Sequence, residues 1–199
     1  MSEIVGLALD ISLRRTGWVV GSPSDRRPQK GTIEFPEWSD RTKIDIVLKL
    51  WRFLEGIHLE YELTDIAYEM PFIDPKAFNL TLLKVQDTYE TLIWLFCALN
   101  KVRCAKAPIA SWRDRFLGLD AEIKARIHQL KPHQRTKFYK DAAMKACADR
   151  GWPVSFHDEA EAHGSLDFLF CVRDPVYAGK TDVIFRRADL QNVRKAPEL

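Results

Sequence analysis

The chain has 199 residues, of which 46% are hydrophobic and 29% are charged, and its formal net charge is +2. These values are typical of an ordinary globular protein with one domain and a substantial core. The apolar stretches are too short or too interrupted by charges to cross a bilayer, and the start of the chain lacks the basic residues of a signal peptide, so we expect no membrane partner.

Three short strands are predicted first along the chain. An apolar run at residues 4–9 ends at Asp10, a second run follows at residues 18–20, and residues 31–35 form a third. Apolar runs bounded by turn residues predict buried strands, and three at short spacing predict an antiparallel meander. Asp10 would then end a core strand, where an ionised carboxylate needs a metal ion or a basic partner.

Helices and strands alternate after the meander. The first helix, capped by Ser39 or Asp40, is expected to bury a stripe that includes Ile44 and Leu48. The predicted elements are a helix to about residue 60, a strand at 65–70, a helix at 77–99, a strand at 102–106, a short helix at 120–130, and helices at 134–150 and 158–172. This order predicts an α/β fold with a five-stranded mixed sheet, three strands antiparallel and then two parallel, flanked by helices. We expect one domain over residues 1–173 and a C-terminal extension over 174–199.

The cysteines give no sign of a zinc site or a disulfide framework. They are scattered and have no paired spacing: Cys97, Cys104, Cys147 and Cys171. We expect reduced, mostly buried thiols and a cytoplasmic location.

The charge is distributed unevenly along the chain. Residues 101–150 contain thirteen Lys or Arg against five Asp or Glu, a local balance of +8, so the rest of the chain carries −6. A basic segment in a near-neutral protein indicates a surface that faces a polyanion, although a solvated helix face explains the charges equally well.

Four carboxylates occupy related positions in the predicted elements. Glu69 ends its apolar strand as Asp10 does, and Asp158 and Glu161 share one face in the first turn of the last helix. Their mutual repulsion in a cleft would be relieved by hard divalent cations, and two such ions can catalyse phosphodiester hydrolysis. Each acid also has an ordinary structural explanation. Asp158 and Glu161 could stabilise the N-terminus of their helix through its dipole, Glu69 could pair with a lysine, and Asp10 could cap the turn that follows it.

The combination of these motifs resembles RuvC-type Holliday junction resolvases, above all those of bacteriophages and prophages. The similar features are Asp10-x-Ser-Leu-x-x-Thr-Gly, the strand ending in Glu69 followed by Pro71-Phe72, and the Asp-Glu-Ala-Glu-Ala run from Asp158. The resemblance implies an RNase H-like fold, a homodimer, and magnesium-dependent nicking of two opposed strands at a four-way DNA junction. It also implies two Mg²⁺ ions per active site, for which Mn²⁺ would substitute, held by Asp10, Glu69, Asp158 and Glu161.

Further residues acquire expected roles from this resemblance and from the basic segment. Lys137 is the candidate for neutralising the transition state, and His157 is a possible additional contact. Phe72 could stack on bases of an opened junction or could equally be a core or interface aromatic. The predicted DNA-binding residues are Arg14, Arg15, Phe72, Lys76, Asn79, Trp112, Arg113, Arg115, Arg135 and Lys140, with Trp112, Arg113 and Arg115 in a loop after the fifth strand.

The chain departs from the family pattern at three places. Ser12 stands where many members have Gly, Glu161 replaces a more usual Asp, and His163-Gly164 interrupts what is typically an Ala/Leu-rich helix. The first is compatible with a tight turn, and the second changes the length of a proposed metal ligand.

The predicted function is therefore resolution of four-way DNA junctions, leaving 5′-phosphate and 3′-hydroxyl ends. The alternatives keep the fold and change the substrate, as in transposases, ribosomal-RNA-processing nucleases and flap or branch nucleases, or lose catalysis and only bind junctions. An actin-like kinase also carries a strand-end Asp in its first hairpin, but it needs two domains and a second glycine-rich loop, which 199 residues with nine glycines do not accommodate. If a phage encodes the protein, its location would be the cytoplasm of the bacterial host.

Overall fold

A single mixed sheet forms the centre of the molecule; the computed structural model describes residues 3–69 and 80–179. Its strands are β1 (Gly6–Asp10), β2 (Arg15–Gly21), β3 (Gln29–Glu34), β4 (Asp65–Glu69) and β5 (Arg103–Ala107). Their order in the sheet is β3-β2-β1-β4-β5. The first three strands pair antiparallel, whereas β4 is parallel to β1 and β5 to β4. The predicted sheet is confirmed.

Helices cover both faces of this sheet. They are α1 (Lys43–Tyr61), α2 (Leu80–Asn100), α3 (Ile109–Phe116), α4 (Ala121–Gln129), α5 (Pro132–Asp149), α6 (His157–Arg173) and α7 (Pro175–Gly179). The α/β class is therefore confirmed. Within the described residues, every helix is too short or too polar to span a membrane.

Alternation along the central strands assigns large residues to one face and small residues to the other. Leu7 and Leu9 pack in the core that β1 and β4 share with α1 and α2. Ala8 points to the opposite face, where it packs with Ala67 and Ala105 under the apolar side of α6. Because alanine side chains are short, α6 can lie close to the sheet. This close approach determines where the first turn of α6 meets the strand ends.

Two predictions about the helices need correction. Ile44 and Leu48 are 57% and 42% exposed, because α1 turns Ile46 and Leu50 towards the sheet instead. The segment after β5 is not a loop but the helix α3, which packs its buried side chains against α6. The described part of the expected C-terminal extension contains α7, where Tyr177 packs against Phe170 of α6.

The four cysteines are all free and buried. Cys97 of α2 and Cys104 of β5 lie in the core on the α1 and α2 side of the sheet, and Cys147 of α5 packs in the cluster that includes residues of α3 and α6. In these positions they act as small apolar residues of the core.

Candidate active site

The carboxyl ends of β1 and β4 bring two acidic residues to the same edge of the sheet. These strands are parallel neighbours with Leu9 opposite Tyr68, so the next residues, Asp10 and Glu69, emerge side by side. Asp10 lies near the first turn of α6: one carboxylate oxygen each from Asp10, Asp158 and Glu161 lie within 4.8 Å of one another. The structure thus gathers three of the four carboxylates that the sequence singled out, and the fourth, Glu69, lies close enough at the neighbouring strand end to raise the pKa of Asp10.

Gly17 allows α6 to approach this closely. It is the partner of Asp10 across the β1–β2 ladder. A Cβ at this position would lie 2.1 Å from the carbonyl oxygen of Asp158 and 2.8 Å from the backbone nitrogen of Glu159. A side chain would therefore force the first turn of α6 away from β2. Glycine at position 17 is a requirement of this contact.

Ser12 closes the turn between β1 and β2. Its hydroxyl donates to the carbonyl oxygen of Arg15, and the Arg15 backbone N–H donates back to Ser12 Oγ at 3.3 Å. Ser12 thus stabilises the turn through a local pair of side-chain to backbone hydrogen bonds.

The electrostatics of the site favour a bound cation. Burial raises the pKa of the Asp10 carboxyl well above its usual range, and the three neighbouring carboxylates add to the rise. Burial and the charge of Glu161 raise the pKa of Glu69 to about 7. An all-oxygen donor set of mutually repelling carboxylates is what hard divalent ions such as Mg²⁺ prefer. The residues present therefore fit a divalent metal centre.

Two adjacent residues of α3 contact the carboxylates from β4 and α6. The Trp112 indole N–H donates to Glu69 Oε2 at 3.1 Å. The Arg113 guanidinium donates from Nη2 to Glu161 Oε1 at 2.8 Å. On the opposite side, Arg15 Nε donates to Asp158 Oδ2 at 2.5 Å. These contacts orient the acidic side chains and offset part of their charge.

The prediction that Trp112 contacts DNA is wrong, because its side chain is completely buried. Its ring lies against Gly164 so closely that a Cβ there would be 2.3 Å from Trp112 Cε3. The helix α6 runs through Gly164 without interruption. The unusual glycine therefore makes room for the tryptophan that holds Glu69.

Arg115 also faces the interior, so its predicted DNA contact is wrong as well. The residue is 4% exposed, and its Nε donates to Asp167 Oδ2 at 2.7 Å. Tyr177 of α7 donates its hydroxyl to the other oxygen of Asp167 at 2.8 Å. This buried arrangement joins α3, α6 and α7 and belongs to the scaffold.

The remaining predicted residues lie on the surface or outside the described part of the chain. Arg14 is exposed and pairs with Glu37 at 3.2 Å. On α5, Arg135 and Lys140 are partly exposed, and the exposed Lys137 pairs with Asp141 at 2.8 Å. His157 is the first residue of α6. Three of the predicted DNA contacts lie outside the described residues: Phe72, Lys76 and Asn79.

The sequence grouped Asp158 and Glu161 on one helix face and left Glu159 out, but it did not reveal the partners of these acids. Glu159 is 4% exposed and turns away from the cluster, where it pairs with Lys30 at 3.1 Å and accepts from the Ser155 N–H at 2.8 Å. The signal was present in the spacing, because Asp158 and Glu161 share a face that Glu159 does not. The Trp112–Glu69 contact carried no local signal, since it joins residues of two different elements.

Comparison with known proteins gives a structural match without a sequence match. No protein-family profile and no curated protein matches the chain. Among solved structures, Thermus thermophilus RuvC in complex with a Holliday junction substrate matches with a TM-score of 0.61 at 12% identity, covering 85% of this chain and 95% of that one. A second Thermus thermophilus RuvC structure matches with a TM-score of 0.58 at 14% identity, covering 85% and 96%. The sheet order, the helices on both faces and these matches lead to one conclusion: the chain has the RuvC-like variant of the RNase H-like fold.

Proposed function

We propose that this protein is a structure-selective endodeoxyribonuclease that resolves four-way DNA junctions in a magnesium-dependent reaction. The observation that carries the proposal is the convergence of Asp10, Glu69, Asp158 and Glu161 on a RuvC-like scaffold. The junction as substrate is supported by the neighbour whose structure contains a Holliday junction. The sequence motifs further suggest the type of resolvase that phages and prophages carry, acting in the bacterial cytoplasm.

The proposed chemistry assigns metal binding to the four carboxylates. Asp10, Glu69, Asp158 and Glu161 would together hold two Mg²⁺ ions, or Mn²⁺ in their place. When bound, such ions stabilise the attacking and leaving oxygens of an in-line displacement. The expected products carry 5′-phosphate and 3′-hydroxyl ends.

The protein's own side chains would orient the carboxylates and the scissile phosphate. Trp112 keeps Glu69 aimed at the centre through its N–H. The partly exposed guanidinium of Arg15 lies at the rim, beside Asp158, and could meet a phosphate oxygen. The buried strand ends beneath Asp10 exclude bulk water from one side of the reaction.

Basic residues near the start of α5 form our proposed DNA surface. Within the described residues, the ion pairs do not include Lys131, Arg135 or Lys140, so these cations are available to phosphates. Lys137 remains the candidate for neutralising the transition state. An exposed ion pair one helical turn apart is weak, so Lys137 can exchange Asp141 for a phosphate at little cost.

Paired incision of a junction requires two active sites, so we propose a homodimer. The outer face of α2 carries leucines that are unusually exposed: Leu80 (55%), Leu95 (49%) and Leu99 (66%). Exposed apolar side chains that share a helix face favour association with another surface. Light scattering coupled to size-exclusion chromatography would give twice the chain mass of 23.0 kDa if this is correct.

The test is cleavage of a synthetic four-way junction in Mg²⁺. We expect symmetrical nicks that DNA ligase seals without further processing. Asp10→Asn and Glu69→Gln should abolish cleavage while leaving junction binding intact. Asp149→Asn is the matched control, because Asp149 is an exposed carboxylate that pairs only with Lys145 among the described residues. Equal activity in all four proteins, or in none, would contradict the proposal.

The alternatives predict different outcomes in the same assay. A flap or branch nuclease would cut flap, duplex or RNA substrates at least as fast as the junction. A catalytically impaired binding protein would retain the junction in Mg²⁺ without cutting it. Competition among labelled substrates separates these cases.

A further inference from the structure

Arg113 is the cation placed most centrally in the acidic cluster. Its Nη2 donates to Glu161 at 2.8 Å. Its charge also acts on the carboxylates of Asp10 and Glu69, where it opposes the effect of burial on their pKa. One guanidinium therefore offsets the negative charge of three of the four carboxylates.

The position of Arg113 is fixed by the surrounding aromatic side chains. The centre of its guanidinium lies 4.6 Å from the ring centroid of Tyr139 on α5 and 5.2 Å from that of Trp112. Trp112 itself is held against Gly164. Such cation–π contacts and the neighbouring packing restrict the long arginine side chain to the site. The position of the guanidinium is therefore determined by the packing of α3 and α5 around it.

Arg113 is nevertheless not fully satisfied by the protein. Its Nε is buried and has no hydrogen-bond partner among the described residues. The side chain remains 22% exposed, whereas that of its partner Glu161 is 8% exposed, so solvent reaches the guanidinium side of the pair more readily. It is therefore suited to exchange its carboxylate partner for a phosphate, which accepts two parallel N–H bonds from arginine.

A guanidinium on Glu161 and a divalent ion on the same carboxylate repel each other. We infer that Arg113 is the built-in counter-ion of the metal-free site, which weakens divalent-ion binding by competing for Glu161 and is released towards the phosphate when ions bind. This inference rests on the proposed metal-dependent function. It adds a role for one residue in setting metal affinity and in coupling metal occupancy to phosphate binding.

If Arg113 competes with the metal, its removal should strengthen binding of the divalent ion. Loss of a metal ligand or of a structural contact would weaken that binding instead. Arg113→Gln removes the positive charge and should lower the Kd for Mn²⁺ in the absence of DNA by about tenfold, which corresponds to about 1.4 kcal/mol. The metal-free variant should melt at a lower temperature than the wild type, because the carboxylates then repel one another without relief. Mn²⁺ should restore more stability to the variant than to the wild type.

The experiment measures Mn²⁺ binding by electron paramagnetic resonance and isothermal titration calorimetry, using the full chain without DNA. Arg113→Lys keeps the charge and should bind Mn²⁺ with nearly wild-type affinity. Arg150→Gln is the matched control, because Arg150 stacks on Phe116 at 4.3 Å but donates to backbone carbonyl oxygens and should leave the Kd unchanged. An Arg113→Gln protein that binds Mn²⁺ no more tightly than the wild type would overturn the inference alone. Absence of Mn²⁺ binding in both the wild type and Arg113→Gln would overturn the proposed function as well.

A second measurement needs no variant and avoids any folding defect. In the ¹⁵N spectrum of the arginine Nε–H groups, saturating Mg²⁺ should shift the Arg113 resonance and leave that of Arg150 in place. An Arg113 resonance that does not respond while Mg²⁺ binds would show that the guanidinium stays on Glu161, contrary to the inference.

Discussion

Replacing Gly17 with alanine tests the contact on which the whole acidic cluster depends. The new Cβ would lie 2.1 Å from the carbonyl oxygen and 2.2 Å from the carbonyl carbon of Asp158. Both are backbone atoms, so no rotation of a side chain relieves the overlap. The first turn of α6 must retreat from β2, or the hairpin must bend.

The size of the effect follows from that overlap. Ordinary carbon contacts begin near about 3.5 Å, so the backbone of Asp158 has to move by roughly 1 Å or more. Overpacking of this kind costs about 1–3 kcal/mol of unfolding free energy, and we expect the upper end because neither partner is flexible. Since α6 also carries Glu161, the carboxylates separate by a similar distance. A displacement of about 1 Å can lower turnover roughly 100-fold.

The assay combines urea denaturation with Mn²⁺ titration and junction cleavage. Gly56→Ala is the matched control: Gly56 lies inside α1, where an added Cβ meets no atom within 4 Å. That substitution should stabilise the protein by about 0.5–1 kcal/mol, since glycine is unfavourable inside a helix. The reasoning is refuted if Gly17→Ala unfolds within about 0.5 kcal/mol of the wild type and binds Mn²⁺ equally well.

Two further predictions concern the hydrogen bonds and protons of the site, and a third concerns the buried ion pair of the scaffold. Trp112→Phe keeps most of the packing but removes the N–H that donates to Glu69, so Mn²⁺ affinity should fall about tenfold. The control is Trp152→Phe, which should leave the Mn²⁺ affinity unchanged because the Trp152 N–H donates to the carbonyl oxygen of Arg26. Glu69 has a pKa near 7 in the folded protein against an ordinary value of 4.5. The folded, metal-free chain thus binds more protons than the unfolded chain between these values, so its melting temperature should fall as pH rises from about 4.5 to about 7. The slope should be shallower in Glu69→Gln, where the raised pKa of Asp10 still contributes to it. A melting temperature that rises over this interval would contradict the assignment. Arg115→Met leaves Asp167 buried without its ion pair and should cost about 3–5 kcal/mol in urea denaturation, whereas an unchanged midpoint would mean that the pair is not structural.

The strand-end acids could be predicted because their signals are local. Asp10 and Glu69 each follow a short apolar run, and parallel pairing of β1 with β4 brings such ends together. Asp158 and Glu161 are spaced for one helix face. The fold class likewise follows from the order of apolar runs along the chain.

The partners of these acids could not be predicted, because they depend on complementary shapes of distant residues. Trp112 fits over Gly164, and Gly17 fits under Asp158, yet each pair joins different elements of the fold. The wrong predictions of DNA contacts for Trp112 and Arg115 have the same cause, because the burial of both residues depends on packing between distant elements. The sequence places Trp112 and Arg115 in a short segment after a strand, and only the packing of α3 against α6 turns their side chains inward.

The most direct test of the central claim is cleavage of a supercoiled plasmid that carries an extruded cruciform. If the four carboxylates form a junction-resolving centre in a dimer, the wild type in Mg²⁺ converts the plasmid directly to the linear form by paired nicks, and Asp10→Asn does not. Accumulation of nicked circles without linear product, together with equally rapid cutting of a simple flap, would contradict the account.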